Sequence, residues 1–262
     1  MPSQLIHIYG PFSIQIFGVM VMLGLLWFVY QLCKDKPLAL YLAHEDIFNL
    51  ATWAIGAGIL GARVLYIVTN QHEFTSWHSM LFIWQGGFSI LGAISGVLAC
   101  LVIYLYIRNI PILYVTDRCA LYAPLLQAIA RIGCFYAGCC YGSATQVPWK
   151  ILIKQDNVLM YVHPSQLYSA LLLALLYILL NYYYQYTVLY QGQLTSMYII
   201  GAGIERATVD MFRADKIPLY LGTFTHPSTQ QVLAMIMVIL GVVLYGYSMY
   251  CKRLLTFPEN RI

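Results

Sequence analysis

Long apolar stretches recur along the 262 residues of this chain and constrain its fold more than any other feature. Six of them are about 17 to 25 residues long, the length that an α-helix needs to cross a hydrocarbon core of about 30 Å. They cover residues 15–32, 47–69, 88–107, 166–186, 194–212 and 231–250. A water-soluble fold is excluded, because 61% of the residues are hydrophobic and only 9% are charged, too few to cover a surface in water.

A seventh stretch, residues 119–140, is less apolar, since it contains Pro124, Gln127 and Arg131. Such a helix is unsuited to face lipid but acceptable where it lines a protein interior. We therefore predict an all-α, polytopic membrane protein of about seven transmembrane helices, forming a single membrane domain over residues 1–262. Two outward-facing segments, near 143–162 and 214–230, either control access to a site or are ordinary surface loops.

Lysine and arginine predict the orientation, because they gather in cytoplasmic loops. Seven basic residues follow the first, third and seventh spans: Lys34, Lys36, Arg108, Arg118, Lys252, Arg253 and Arg261. The opposite side has four, Lys150, Lys154, Arg213 and Lys216. This bias places the N-terminus outside and the C-terminus in the cytoplasm. The first ten residues lack the basic region of a signal peptide, so we expect the first span to be retained. No basic stripe indicates a nucleic-acid partner; membrane lipids are the expected surroundings.

Three arginines fall inside apolar spans, where each costs about 2.5 kcal/mol or more. They are Arg63, Arg131 and Arg206, and each has glycine and alanine neighbours. Small residues let helices approach closely, so the three guanidinium groups could converge on a protein-lined interior.

Two readings of these arginines stay open at this point. In one they neutralise buried acids: Arg206 could pair with Asp210 one helical turn away, and Glu205, Asp46 and Asp215 could serve the others. In the other they bind an anion, since guanidinium offers a planar fork of donors that suits phosphate oxygens. A phosphate inside a membrane protein usually belongs to a lipid headgroup, and Arg63 and Arg131 have no acid within four residues.

Five strings resemble one enzyme family along nearly the whole chain. They are Gly61-Ala62-Arg63-Val64-Leu65-Tyr66, Gly86-Gly87-Phe88-Ser89, Arg131-Ile132-Gly133-Cys134-Phe135, His163-Pro164-Ser165-Gln166-Leu167-Tyr168 and the residues from Arg206 through Arg213. On these motifs the chain resembles prolipoprotein diacylglyceryl transferase. The resemblance implies a bacterial inner-membrane enzyme of seven spans that moves the diacylglyceryl group of phosphatidylglycerol to the lipobox cysteine of a prolipoprotein signal peptide, releasing glycerol 1-phosphate. It implies no metal and no cofactor.

The resemblance also implies roles for individual residues. Arg131 and Arg206 match the essential arginines and would stabilise the charge that develops on the departing phosphate, with Arg63 as the second choice. Substrate-binding positions carried over from the motifs are Arg63, Gln166, Tyr168, Cys134, Asp210 and Arg213. Three family positions have lost a polar group: Leu91 replaces a histidine thought to be the base, Cys134 replaces an asparagine, and Phe17 replaces a tyrosine.

The lost histidine leaves the proton acceptor open. His163 is the candidate base, because an imidazole titrates near neutral pH. It could instead cap the fifth span, with Pro164 at the first helical position. Alternatively the chain is a divergent paralogue that transfers a lipid-derived group to another acceptor, or a non-catalytic phospholipid-binding membrane protein. A transporter is disfavoured, since the two halves show no matching helix breaks.

Three cysteines cluster in the sequence, Cys134, Cys139 and Cys140. Zinc prefers paired Cys-x2-Cys spacing with further ligands, so no metal site is predicted from this pattern. We expect small residues packing a tight helix crossing. A thiol activated by Arg131 is the alternative.

Overall fold

A computed structural model describes residues 4–9, 12–71, 86–155, 158–187, 189–213 and 228–252. This part of the chain is predominantly helical, which confirms the predicted all-α class. The helices are α1 (Ile16–Lys34), α2 (His44–Thr69), α3 (Ile90–Ile107), α4 (Ile112–Ala137), α5 (Ser165–Tyr186), α6 (Gln193–Asp210) and α7 (Thr229–Cys251). Two antiparallel hairpins accompany them, β1 (Gln4–Tyr9) with β2 (Phe12–Gln15), and β3 (Ile151–Gln155) with β4 (Val158–Val162).

Six of these helices are long and apolar enough to cross a membrane: α1, α2, α3, α4, α5 and α7. The prediction of a multi-pass membrane protein is confirmed. The segment predicted at 119–140 corresponds to α4, which begins earlier, at Ile112, and is long and apolar enough to span. The segment at 194–212 does not qualify, since the 18 residues of α6 include Glu205, Arg206 and Asp210.

The chain divides into two compact units. The larger unit comprises Met1–Gln31 and Thr116–Ile262, and the smaller unit comprises Leu32–Val115. The larger unit holds α5, α6 and α7 with most of α1 and α4, whereas the smaller unit holds α2 and α3. The single membrane domain stays a prediction.

Close glycine contacts join α2 and α3 in the smaller unit. A Cβ atom added to Gly61 would lie 2.4 Å from the Gly92 carbonyl oxygen, and one added to Gly92 would lie 2.3 Å from the Gly61 carbonyl oxygen. A Cβ added to Gly96 would lie 2.3 Å from the Ala57 carbonyl oxygen. Two small-xxx-small pairs, Ala57 with Gly61 and Gly92 with Gly96, therefore let the backbones touch.

A buried carboxylate joins α4 to α6 in the larger unit. Asp117 is fully buried on α4, and its oxygens accept hydrogen bonds from the Gly192 amide at 2.5 Å and from the Thr195 amide and hydroxyl, both at 2.7 Å. Gly192 precedes α6 with a φ of 94°, a left-handed conformation that favours glycine. The carboxylate thus satisfies open amides at the positive end of α6. We call this contact the α4–α6 clasp.

The predicted outward segment 143–162 contains the β3–β4 hairpin, which was not predicted. The chain before it is also paired: the Gly142 amide donates to the His163 carbonyl at 2.9 Å, and the Ser143 amide donates to the Phe212 carbonyl at 2.7 Å. A Cβ at Gly142 would lie 2.6 Å from both the His163 Cβ and the Phe212 carbonyl oxygen, so only glycine fits. Most of the other segment, residues 214–227, lies outside the described residues, and its outward placement stays a prediction.

One residue used for the orientation is not in a loop. Arg118 lies within α4, is 3% exposed, and stacks its guanidinium 4.2 Å from the centre of the Tyr184 ring. Its placement in the loop between the third and fourth spans was wrong, because α4 begins earlier than predicted. The loop after α3 therefore contributes Arg108 alone to the proposed cytoplasmic side.

Candidate functional site

Arg206 is anchored by a neutral side chain. On α6 it is half-buried, and its Nε and Nη2 atoms donate to Oε1 of Gln230 in the first turn of α7, at 3.0 and 2.7 Å. An amide oxygen orients a guanidinium without cancelling its charge. Gln230 was not predicted, because it is 24 residues away along the chain and belongs to no motif.

Acids that could have neutralised the arginines make other contacts. Asp210 accepts a hydrogen bond from Ser228. Glu205 accepts one from Ser169, although its negative charge also acts on Arg206. Asp46 lies 3.4 Å from the Arg108 guanidinium. The pairing of Arg206 with Asp210 was therefore a wrong alternative. Asp215 lies outside the described residues.

Arg131 occupies the last two turns of α4, where it is half-buried. Within the described ranges it makes no hydrogen bond and no ion pair. Its positive charge is nevertheless close enough to act on Arg206, as is that of Arg213. Three guanidinium groups thus share one region of the larger unit, an arrangement whose repulsion a bound anion would relieve. We call Arg131, Arg206 and Arg213 the arginine cluster.

Arg63 has a different environment, in the smaller unit. It is 7% exposed on α2, and its Nη1 atom donates to the carbonyl oxygens of Gly86 at 2.5 Å and Gly87 at 3.1 Å. Gly87 has a φ of 78°, and a Cβ there would lie 2.5 Å from the Tyr66 ring. Arg63 therefore holds the glycine turn that precedes α3. Its convergence with the arginine cluster stays a prediction.

His163 belongs to an aromatic group rather than to a helix cap. Helix α5 begins at Ser165, its N-cap residue is Pro164, and no side chain caps it, so the capping alternative was wrong. The imidazole Nδ1 lies 3.2 Å from the Tyr168 hydroxyl, and its ring lies 5.4 Å from that of Phe212. The Tyr168 hydroxyl also accepts from the Trp149 indole at 2.6 Å. Trp149 and Phe212 were not predicted, because neither belongs to a polar motif.

Gln166 has one buried polar atom without a partner. The side chain is 2% exposed, and its Nε2 atom donates to the Cys139 carbonyl at 2.7 Å. Its Oε1 atom is buried and accepts no hydrogen bond from the part of the chain that is described. Buried acceptors nearly always have a donor. This oxygen is therefore available to a hydroxyl group or a water molecule.

The three cysteines meet where α4 ends. Their Sγ atoms lie within 4.8 Å of one another, with Cys134 buried and Cys139 exposed. Hydrogen bonds from the Cys134 and Cys139 thiols lower the pKa of Cys140, and the positive charges of Arg213 and Arg131 lower it further. Hydrogen bonds with Cys134 and Cys140, in which Cys139 keeps its proton, raise the pKa of Cys139. The cluster thus favours a thiolate at Cys140.

The three positions that lost polar groups lie in both units. In the larger unit Phe17 packs against α4, because a Cβ at Gly133 would lie 3.4 Å from the Phe17 Cα and 2.9 Å from the Met20 Cβ. Cys134 is the next residue of α4. In the smaller unit Leu91 is 52% exposed in the first turn of α3. None of the three can accept a proton from a neutral thiol as a histidine would.

Comparison with known proteins adds a second line of observation. Residues 3–247 match the model of a family described as prolipoprotein diacylglyceryl transferase. A protein of Clostridium tetani is 31% identical over 252 residues, covering 95% of this chain and 96% of that protein. One from Rhodospirillum rubrum is 30% identical over 256 residues, covering 94% and 92%, and one from Synechococcus elongatus is 31% identical over 250 residues, covering 90% and 86%. All three are named phosphatidylglycerol–prolipoprotein diacylglyceryl transferase.

Proposed function

The chain belongs to the prolipoprotein diacylglyceryl transferase family, and from this premise we propose that it transfers the diacylglyceryl group of phosphatidylglycerol to the cysteine thiol of a prolipoprotein. The resemblance predicted from the five motifs is confirmed by the family match over residues 3–247. The chain is a multi-pass membrane transferase. Its individual site residues and the lipobox as the acceptor sequence are proposals.

The arginine cluster is the observation that supports this function most directly. Arg206 is oriented by Gln230, while Arg131 points to no acceptor among the described residues. Two cations held close together, with the neutral Gln230 as the hydrogen-bond partner of Arg206, favour a dianionic or monoanionic guest. The phosphate of phosphatidylglycerol supplies that charge. We assign Arg131 and Arg206 to the phosphate, with Asp210 and Arg213 bordering the site.

The transfer needs a fixed positive charge where the leaving group forms. The acceptor thiol loses its proton, its sulfur bonds to the glyceryl carbon, and the carbon–oxygen bond to the phosphate breaks. The bonding electrons leave with glycerol phosphate, whose negative charge increases as the bond breaks. Guanidinium groups already in place stabilise that charge without reorganising. This step uses no metal and no cofactor.

His163 is the proposed acceptor of the thiol proton. Tyr168 contacts its Nδ1 atom, and the aromatic group holds the ring between Tyr168 and Phe212. No described residue hydrogen-bonds to its Nε2 atom. An imidazole fixed through one nitrogen can act as a base through the other. Gln166 and Tyr168 then serve as polar contacts of the substrate.

An apolar groove beside the arginine cluster suits a lipid chain. It has a volume of about 320 Å³ between α6 and α7, and it is open on one side. Its walls include Ala207 and Thr208, the two residues that follow Arg206, and Met211, five residues after it. Hydrocarbon favours such a surface, while the phosphate stays with the arginines. We propose that one acyl chain of phosphatidylglycerol occupies this groove.

Complementation tests the function. A bacterial strain depleted of its own diacylglyceryl transferase would express this chain, and mass spectrometry would measure the mass of a reporter lipoprotein. Growth with a diacylglyceryl-modified cysteine is the expected result. The matched control is the Arg131→Ala variant, expressed at an equal level in the membrane, which should fail.

Failure of the unmodified chain at normal membrane levels would contradict this proposal. It would favour the paralogue that uses another acceptor, for which the apolar Phe17 and Leu91 are the supporting observations. Reporter cysteines at each terminus would test the proposed inner-membrane orientation. Labelling of the C-terminal cysteine from outside intact cells would overturn it.

A further inference from the structure

The geometry of the cysteine cluster suits a function that the sequence spacing did not indicate. In a tetrahedral thiolate site with metal–sulfur distances of about 2.3 Å, neighbouring sulfur atoms are about 3.8 Å apart. The Sγ atoms of Cys134, Cys139 and Cys140 already lie within 4.8 Å of one another, and all three are free thiols. Small side-chain adjustments would close them around one ion. The Cys-x4-Cys-Cys spacing brings them together because Cys134 lies on α4 and the chain then turns back.

The turn that carries Cys139 and Cys140 is held by α5 through two of its backbone carbonyl groups. Ser165 donates to the Cys140 carbonyl at 2.8 Å, and Gln166 donates to the Cys139 carbonyl at 2.7 Å. Gly138 has a φ of 68° and Cys140 has a φ of 59°. A left-handed backbone is uncommon for a residue with a side chain and is found most often at functional sites. The backbone is thus arranged in advance, and the Cys139 thiol makes only one long hydrogen bond to it, to the Cys134 carbonyl at 3.7 Å.

We propose that Cys134, Cys139 and Cys140 form a binding site for one thiophilic d10 cation, Zn²⁺ or Cu⁺. Soft thiolate ligands select these ions over Mg²⁺, Ca²⁺ and Mn²⁺. Cu⁺ is satisfied by three sulfur atoms, whereas Zn²⁺ completes its tetrahedron with water. The bound ion links the end of α4 to the turn that α5 holds, and therefore stiffens the region beside Arg131. The site does not depend on the proposed transferase reaction.

Metal uptake by the purified full chain tests this proposal. The protein in detergent would be reduced, stripped with a chelator and dialysed against buffered Zn²⁺ alone or buffered Cu⁺ alone, and bound metal per chain would be measured by elemental analysis. One ion per chain is expected in at least one arm, and the arm that saturates identifies the ion. Cd²⁺ should give thiolate-to-metal charge-transfer absorption.

The chain supplies a matched control with the same number of substitutions. The C134S/C139S/C140S variant should lose the bound ion and the absorption band, whereas C33S/C100S/C251S should keep both. Should the first variant fail to fold, Cys139→Ser alone removes an exposed ligand and should weaken binding at least about 10-fold. Thermal unfolding with and without the metal should then show less stabilisation than in the parent chain. Absence of uptake in both arms, or equal uptake by the two triple variants, would overturn the site.

Discussion

Arg63 in the smaller unit and Arg131 in the larger unit are both arginines on apolar helices with glycine or alanine neighbours, yet their surroundings differ. Arg63 is buried and donates to two carbonyl oxygens of the Gly86–Gly87 turn. Arg131 is half-buried, and the described residues give it no hydrogen-bond partner. An intramembrane arginine therefore does not indicate a binding site by itself. The observation that supports a proposed binding site is hydrogen-bonding capacity that the described residues do not use, as at Arg131.

The largest effect should come from the arginine cluster. Arg131→Ala or Arg206→Ala should lower kcat/KM for diacylglyceryl transfer about 10³-fold, because each removes a preorganised donor from the developing phosphate charge. Transfer from labelled phosphatidylglycerol to a lipobox peptide would measure it. Arg108→Ala, which alters an exposed arginine of the smaller unit, is the control and should retain activity. Near-normal turnover in both Arg131→Ala and Arg206→Ala would contradict the proposal that the arginine cluster, unlike Arg63, binds the phosphate.

Arg63→Ala should act on stability. The Gly86 and Gly87 carbonyls would lose a charged donor, which we expect to lower the free energy of unfolding by about 3 kcal/mol. Arg63→Lys keeps a charged donor and should recover part of that loss. Thermal unfolding in detergent checks both variants. If Arg63→Ala unfolds normally but no longer binds phosphatidylglycerol, Arg63 belongs with the arginine cluster instead.

Gly92→Ala tests the framework of the smaller unit. Its new Cβ would meet the Gly61 carbonyl oxygen at 2.3 Å, so α2 and α3 must separate. We expect a loss of about 2 kcal/mol in the free energy of unfolding, the usual cost of overpacking. Gly56→Ala on α2 meets nothing within 4 Å and should be neutral or slightly stabilising. Equal stability of the two variants in the same thermal assay would contradict the tight α2–α3 contact.

Gln230→Ala should give the smallest effect. It removes the oxygen that orients Arg206 while leaving the guanidinium in place. We expect kcat/KM to fall about 10-fold, the lower end of what hydrogen bonds to a charged group contribute, because water can replace the lost oxygen. Gln230→Glu provides the contrast, since a carboxylate there would neutralise Arg206 and should be more harmful. An activity order with Gln230→Ala below Gln230→Glu would show that orientation is not its role.

The helices were largely predictable because six of the seven are apolar over a membrane thickness. Their ends fell within a few residues of the predicted bounds, except at α4, whose first turn adjoins a short loop and gave no separate signal. The β3–β4 hairpin was missed, since its strands are only five residues long and alternate weakly. Local pattern is insufficient for such short pairs.

The candidate site was predictable only where a charged residue lies in an apolar, membrane-spanning stretch. Arg131 and Arg206 were found because an arginine is costly in an apolar helix. Their real neighbours were not, because Gln230 and Arg206 meet through the packing of α6 and α7. The three cysteines were judged by spacing along the chain, although a left-handed turn at Gly138 and Cys140 brings their sulfur atoms together. Distances across a turn depend on backbone conformation, which spacing does not report.

The α4–α6 clasp lies at the same distance along each helix from the two arginines of the proposed phosphate site. Arg131 is the fourteenth residue after Asp117, and Arg206 is the fourteenth residue after Gly192. At 1.5 Å of rise per residue, both guanidinium-bearing positions lie about 21 Å along their helices from the same contact. Deleting one residue from either helix would shift one arginine by about 1.5 Å and rotate it by about 100° relative to the other. The buried Asp117 carboxylate is therefore one of the contacts that set the alignment of the two cations, although it lies 14 residues away from Arg131.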